Sequence, residues 1–292
     1  MQKKLQILGY ASGIAGADPS SGHGPIILKQ SSAMSVLSSY GLTLTWQCML
    51  QPPDQINDVT ETVGMLCQDL SNETAQLVHS NQNFIVLGGD HTSAIGTWSG
   101  VARALSHTGS IGLIWIDAHM DSHTPATSET GHLHGMPLAC LLGYGDPRLT
   151  TLAGLSPALR PENVCLVGVR SYERGEATLL NKLGVRIFFM EEIRQRGLKS
   201  VLSEAKQIVS RNTVRYGVTL DIDSIDPEDA PGTGVSELNG IRSLDLCHAM
   251  TLFVDDPKLI GLEIVEFDPS RDQNHKTEKL IAELIAAATL GQ

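Results

Sequence analysis

Short apolar runs of strand length recur along the chain, separated by longer stretches with helical spacing. The runs are LQILGY (5–10), NFIVLGG (83–89), IGLIWID (111–117), NVCLVGV (163–169), VRIFF (185–189), YGVTLDID (216–223) and LIGLEIVEF (259–267). Between them lie amphipathic or mixed segments near 58–80, 93–106, 173–183, 198–211 and 243–253, with a last helix near 275–290. Runs that are apolar on both faces require cover on both sides, as in a parallel sheet. Their alternation with helices predicts an α/β fold, a three-layer αβα sandwich around a mostly parallel sheet. No internal repeat or low-complexity segment interrupts the pattern.

Bulk properties narrow the function. No Pro/Gly/Ser-rich linker or shift in composition divides the 292 residues, so residues 1–292 read as a single domain. A hydrophobic share of 41% supplies a sizeable core, and 18% charged residues without a like-charge block argue against disorder. The net charge of −11 and the lack of a basic cluster beyond Lys3-Lys4 exclude a phosphate-tracking nucleic-acid binder and suit a cationic substrate. No run of 18 apolar residues is present, so no membrane span is expected. The first residues echo a signal peptide, but Gln6, Gly9, Tyr10 and Ser12 break the apolar stretch, which reads as a first strand and a glycine loop. Five widely spaced cysteines without a C-x-x-C predict free thiols in a reducing compartment, hence a cytoplasmic protein.

Chemistry enters where the apolar runs stop. FIVLGG runs into Asp90-His91, GLIWI into Asp117, His119 and Asp121, YGVTL into Asp221, Asp223 and Asp226, and LIGLEIV into Glu266 and Asp268. In open α/β sheets ligands bind at the carboxyl ends of the strands, so four strand ends are expected to converge on one site. Alternation along a strand would project Asp117, His119 and Asp121 to one side, and likewise Asp221 and Asp223. Bare, these groups would repel and their pKa values would climb; a bound metal removes that problem. With His91 the set comprises four carboxylates and two imidazoles, without a thiolate, which suits Mn²⁺ or a related oxygen-preferring ion over structural zinc. Six ligands exceed one tetrahedral site, so two metals sharing carboxylates are expected. Such a pair, about 3.5–4 Å apart, holds a bridging water, lowers its pKa and presents hydroxide to an electrophilic carbon. Asp226 and Asp268 each precede a proline and read as turn starters.

GGDHT (88–92), DAHMD (117–121) and DIDSIDP (221–227) resemble, in order, the three signature motifs of the ureohydrolase family of arginases, agmatinases and formimidoylglutamases. The resemblance runs from GHGP (22–25) to the last helix and implies an arginase-like fold, two Mn²⁺ per chain and a homo-oligomer, trimer or hexamer. It implies one metal at His91, Asp117, Asp121 and Asp221 and the other at Asp117, His119, Asp221 and Asp223, with Asp117 and Asp221 bridging. HTPATSETGHLHGMPLA (123–139) looks like the arginase loop, in which His134 assists proton transfer to the leaving amine. Glu266 matches the acid that holds the guanidinium, and Asp121 is taken as catalytic as well as a ligand. Ser128 and Thr130 stand where family hydroxyls hold the α-carboxylate. His123 and His132 stand where arginases usually carry asparagines, Glu173 where an aspartate reads the α-amino group, and Val235 where a threonine is common. APGTG (230–234) is also a wording of agmatinases. The expectation is a binuclear-manganese arginase, L-arginine and water giving L-ornithine and urea. Another ureohydrolase specificity (agmatinase, guanidinobutyrase or formimidoylglutamase) and a non-catalytic metal-binding homologue stand as alternatives. A nucleotide-binding domain is a weak third reading, because the GYASGIAGADPSSG stretch lacks G-x-G-x-x-G and its Gly9, Gly13 and Gly16 read as loop-permitting residues.

Overall fold

All seven apolar runs form strands in the computed structural model, which describes residues 3–291. The strands are β1 (Lys3–Tyr10), β2 (Leu42–Leu50), β3 (Phe84–Gly88), β4 (Ile111–Ile116), β5 (Val164–Val169), β6 (Arg186–Phe189), β7 (Arg215–Asp221) and β8 (Leu259–Val265). They build one sheet in the order β2-β1-β3-β8-β7-β4-β5-β6. Every neighbouring pair is parallel, so all the carboxyl ends meet at one edge.

The strand missed in the sequence is β2, LTLTWQCML. It lies at the sheet's edge, paired only with β1, and exposes Thr45 and Gln47. A half-covered strand alternates apolar and polar residues instead of running apolar throughout. The six expected helices form at Val59–His79, Ser93–Leu105, Arg174–Leu183, Leu198–Arg211, Ser243–Met250 and Lys276–Leu290. The first of these begins where expected because the Asp58 carboxylate accepts a hydrogen bond from Glu61 N at 3.0 Å, capping the free amides of its first turn. None of the helices among the described residues is long and apolar enough to cross a membrane.

Two cores clothe the sheet. Ile85, Ile114, Ile116, Val218, Leu220 and Ile264 pack with the helices Leu198–Arg211, Ser243–Met250 and Lys276–Leu290 on one face. Val86, Leu113, Trp115 and Leu166 pack with Val59–His79 and Ser93–Leu105 on the other. At the centre of that second face β7 and β8 depart from apolar residues, placing Gly217, Thr219, Gly261 and Glu263 there in register. Gly217 is required by the close approach of Trp98: a Cβ at this position would lie 2.0 Å from the indole Cζ3. Gly217→Ala should therefore lower stability by about 1–3 kcal/mol, the usual cost of overpacking a core. A urea-unfolding midpoint equal to that of the wild type would contradict this packing.

Candidate metal centre and active site

The four strands whose ends carry the acidic motifs, β3, β8, β7 and β4, are consecutive in the middle of the sheet. Convergence of the motifs follows from that order. The local geometry differs from the expected strand alternation. β4 ends at Ile116, so Asp117, His119 and Asp121 lie on the loop that follows, while Asp223 sits in a 3₁₀ turn, Ile222–Ser224, beyond β7. The physical reason is a hydrogen bond that bends the chain at once. The Asp117 Oδ1 accepts from His119 N at 2.7 Å, and Asp221 Oδ1 accepts from Asp223 N at 2.8 Å. Asp90 Oδ1 accepts from Thr92 N at 3.0 Å in the same manner. Each motif thus uses its first aspartate to turn the following donor back over the sheet edge. Asp121 and Glu266 adopt left-handed backbones, φ 47° and 62°, which non-glycine residues hold only under tertiary constraint.

All six expected ligands come together. His91 Nδ1 lies 3.3 Å from Asp117 Oδ2, 3.0 Å from Asp121 Oδ2 and 3.1 Å from Asp221 Oδ2. His119 Nδ1 lies 3.6 Å from Asp117 Oδ1 and 3.0 Å from Asp223 Oδ2. Donor atoms of His91, Asp117 and Asp221 are mutually within 4.8 Å, as are those of Asp117, His119 and Asp223, so each set could hold one cation with Asp117 common to both. A third group with the same spacing, His123, Glu173 and Glu176, lies outside this pair.

Electrostatics describe a cluster short of positive charge. Burial, then repulsion from Asp117, raises the Asp121 pKa. Burial, then Asp223 and Asp117, raise that of Asp221 well above the carboxylate range. Burial also carries Asp223 up to about 6, against the pull of His119. Burial disfavours charge on His91 as well, yet its hydrogen bonds to Asp117, Asp121 and Asp221 hold its pKa well above the ordinary value. Divalent ions would replace the protons on these groups, and an all-oxygen-and-nitrogen donor set of this charge fits them.

Beyond the cluster opens a cavity of about 380 Å³. Asp121, His119, His123, Ser128, Thr130, His132, His134, Glu173, Val235 and Glu266 line it, so every remaining expected site residue reaches the same space. Glu266 Oε1 accepts from His91 N at 3.0 Å and faces His134 Nδ1 at 3.3 Å. His134 is held by a tether: Leu133 N and His134 N donate to Ala15 O at 2.9 and 3.4 Å. The glycine loop therefore positions His134, although Gly9 lies within β1 and not in that loop. Ser128 and Thr130 accept from Gly131 N and His132 N at 3.0 and 3.3 Å, shaping the loop they sit on. His123 hydrogen-bonds Glu173 through Nε2 and Thr127 Oγ1 through Nδ1, the latter at 3.1 Å. Asp226 and Asp268 act as turn formers, accepting from Glu228 N at 3.0 Å and Ser270 N at 2.9 Å.

The sequence did not reveal two supporting residues. Trp115 donates its Nε1–H to Asp117 Oδ2 at 2.8 Å and stacks on His91 with ring centroids 4.2 Å apart. In the sequence it is one more apolar residue of a strand. Arg170 donates to the carbonyls of Asp223, Glu237, Leu238, Ser224 and Gly168 at 2.7–3.3 Å. It binds the loop after β7 to the end of β5, and only the folded chain brings those carbonyls together.

Comparison with known proteins agrees with the geometry. The Arginase family model matches residues 3–291. The arginase of Brevibacillus brevis is 38% identical over 220 residues, covering 75% of this chain and 73% of that protein. The arginase of Bacillus caldovelox is 37% identical over the same shares. A crystal structure of arginase from Bacillus subtilis superposes with a TM-score of 0.91 at 32% identity, covering 99% of each chain. Fold and ligand clusters define a metal-dependent enzyme of the ureohydrolase class. Within that class, the chain belongs to the arginase family.

The His134–Glu266 contact makes a titration prediction. Burial alone would depress the His134 pKa, but the Glu266 carboxylate outweighs it and carries it up to about 9. The pair therefore contributes stability fully below the ordinary histidine pKa of about 6.5, lost as pH rises through about 9. In Glu266→Gln the His134 pKa should fall toward or below its ordinary value, read by NMR titration of the imidazole. A titration midpoint unchanged by the substitution would show that Glu266 does not hold the proton there.

Proposed function

We propose that the chain is a binuclear manganese arginase that hydrolyses L-arginine to L-ornithine and urea. The observation that carries this reading is the His134–Glu266 pair, 3.3 Å apart, on the wall of the cavity that His119, Asp121, Asp221 and Asp223 of the cluster also line. His91, Asp117, Asp121 and Asp221 would hold one Mn²⁺, and Asp117, His119, Asp221 and Asp223 the other, with Asp117 and Asp221 shared. When bound, the metal pair supplies Lewis acidity that makes water nucleophilic at neutral pH.

The protein's own groups account for the rest. The Glu266 carboxylate pairs with the substrate guanidinium, a charge-assisted contact that fixes the electrophilic carbon over the cluster. Asp121, both a ligand and a cavity-lining group, orients the attacking water. Breakdown of the tetrahedral adduct releases an amine, and His134, held protonated beside Glu266, gives that nitrogen a proton. Ser128, Thr130, His123, His132 and Glu173 surround the far end of the cavity, where the amino-acid head group would lie. A second reading, another guanidino or amidino substrate, draws support from His123: with Glu173 on one ring nitrogen and Thr127 on the other, its capacity to meet a carboxylate is already engaged.

We also infer a single domain, supported by the one continuous sheet. Five free cysteines support a reducing, cytoplasmic setting. Leu238 and Leu244, 72% and 83% exposed, offer apolar surface that a trimer or hexamer would cover.

With manganese added, urea release should be greatest for L-arginine when agmatine and 4-guanidinobutyrate are offered alongside, with formimidoylglutamate followed by formamide release. His134→Asn should lower kcat by about 10²–10⁴-fold, the usual share of a general acid, with a smaller change in KM. Preference for agmatine, 4-guanidinobutyrate or formimidoylglutamate would overturn the arginine assignment. No turnover of any substrate by manganese-loaded protein would overturn the enzymatic reading of this cavity.

A further inference from the structure

Beneath the metal centre, in the middle of an otherwise apolar sheet face, lies a carboxylate that the hydrolytic scheme leaves without a task. Glu263 is wholly buried, 0% exposed, in β8. Its Oε1 accepts from Ser93 Oγ at 2.9 Å and Thr97 Oγ1 at 2.7 Å, and its Oε2 from Trp98 Nε1 at 2.9 Å and Thr219 Oγ1 at 2.9 Å. All four donors are neutral. A buried carboxylate without a charged partner is costly, and an apolar residue would serve a merely packed core better.

The Thr219 hydroxyl gives this arrangement a direction. It has one proton, and that proton is committed to Glu263 Oε2, the oxygen that also accepts the Trp98 indole N–H. Toward His91 Nε2, 3.0 Å away, Thr219 can then only accept. His91 must therefore donate through Nε2, which leaves Nδ1, 3.0–3.3 Å from the oxygens of Asp117, Asp121 and Asp221, as the nitrogen that would give a lone pair to a metal in place of its proton. The alternative tautomer would put a proton on Nδ1 and close the ligand position. Trp115, stacked on the same ring at 4.2 Å, restrains its plane but says nothing about its tautomer.

We propose that Glu263 is a positioning residue of the metal centre, acting through the Thr219 hydroxyl to hold His91 in its metal-binding tautomer. The inference rests on the reading of His91 as a ligand. Glu263→Gln would replace an acceptor by an amide whose NH₂ can turn toward Thr219, freeing the hydroxyl proton to point at His91 and favour the wrong tautomer. Thr219→Val would remove the link while keeping the side chain's shape. Thr219→Ser would preserve it.

The test is calorimetric titration of MnCl₂ into metal-free wild type, Glu263→Gln, Thr219→Val and Thr219→Ser, with urea unfolding of each metal-free protein as a control for folding. Thr219→Val and Glu263→Gln should bind manganese about 10- to 100-fold more weakly, the range typical for loss of an outer hydrogen-bond partner, and Thr219→Ser should match the wild type. Should Glu263→Gln fail to fold, the two threonine variants still decide. Wild-type affinity in Thr219→Val would overturn the proposal, as would equal weakening in Thr219→Ser, which would assign the effect to packing. Absence of manganese binding by the wild type would remove the metal centre itself, and this proposal with it.

Discussion

Carboxylates buried a few ångströms apart cannot all remain bare anions, and the site is organised around that constraint. Asp117, Asp121, Asp221 and Asp223 are each under 10% exposed and converge with two imidazoles on one sheet edge. Burial and mutual repulsion push three of the four carboxylates up, while the same carboxylates hold the two imidazoles well above their ordinary pKa. Asp117 is the exception. Burial works against its charge, but hydrogen bonds from His119 and His91 keep it ionised below the usual range. Asp117 is also the carboxylate common to both candidate donor groups.

The fold supplies the precision this crowding demands. Four adjacent parallel strands end at one edge, and three Asx-type hydrogen bonds turn each chain within two residues of its strand end. The left-handed backbones at Asp121 and Glu266 are part of the same cost, borne by the packing around them. Below the edge the sheet is buried on both faces and mostly apolar. Above it, loops of mixed polarity carry the groups that would meet a substrate. The expected ligands sit at or within five residues of a strand end, whereas the groups that would meet the substrate's head group lie farther out on loops, where they can vary without disturbing the centre.

That division also explains what the sequence disclosed. His91, Asp117, His119, Asp121, Asp221 and Asp223 were legible because charged residues stop apolar runs abruptly, a contrast that needs no three-dimensional knowledge. β2 was not, since an edge strand alternates and exposes Thr45 and Gln47. Trp115 and Thr219 were hidden for the opposite reason: inside strand runs, an indole and a threonine pass for ordinary β-formers, and only the fold turns the indole N–H onto Asp117 and brings Glu263 of the next strand to the Thr219 hydroxyl. Arg170 was hidden because its acceptors are backbone carbonyls from four separate positions beyond it in the chain and one just before it. The exact bend of Asp117–Asp121 lay beyond periodicity too, because a side-chain-to-backbone hydrogen bond overrides strand alternation there.

The measurement that bears most directly on the two-metal centre is anomalous X-ray diffraction near the manganese absorption edge, from crystals grown with MnCl₂. Two peaks per chain are expected, one among His91, Asp117, Asp121 and Asp221 and one among Asp117, His119, Asp221 and Asp223. A single peak, or a peak only at His123, Glu173 and Glu176, would contradict the two-metal centre and the chemistry built upon it.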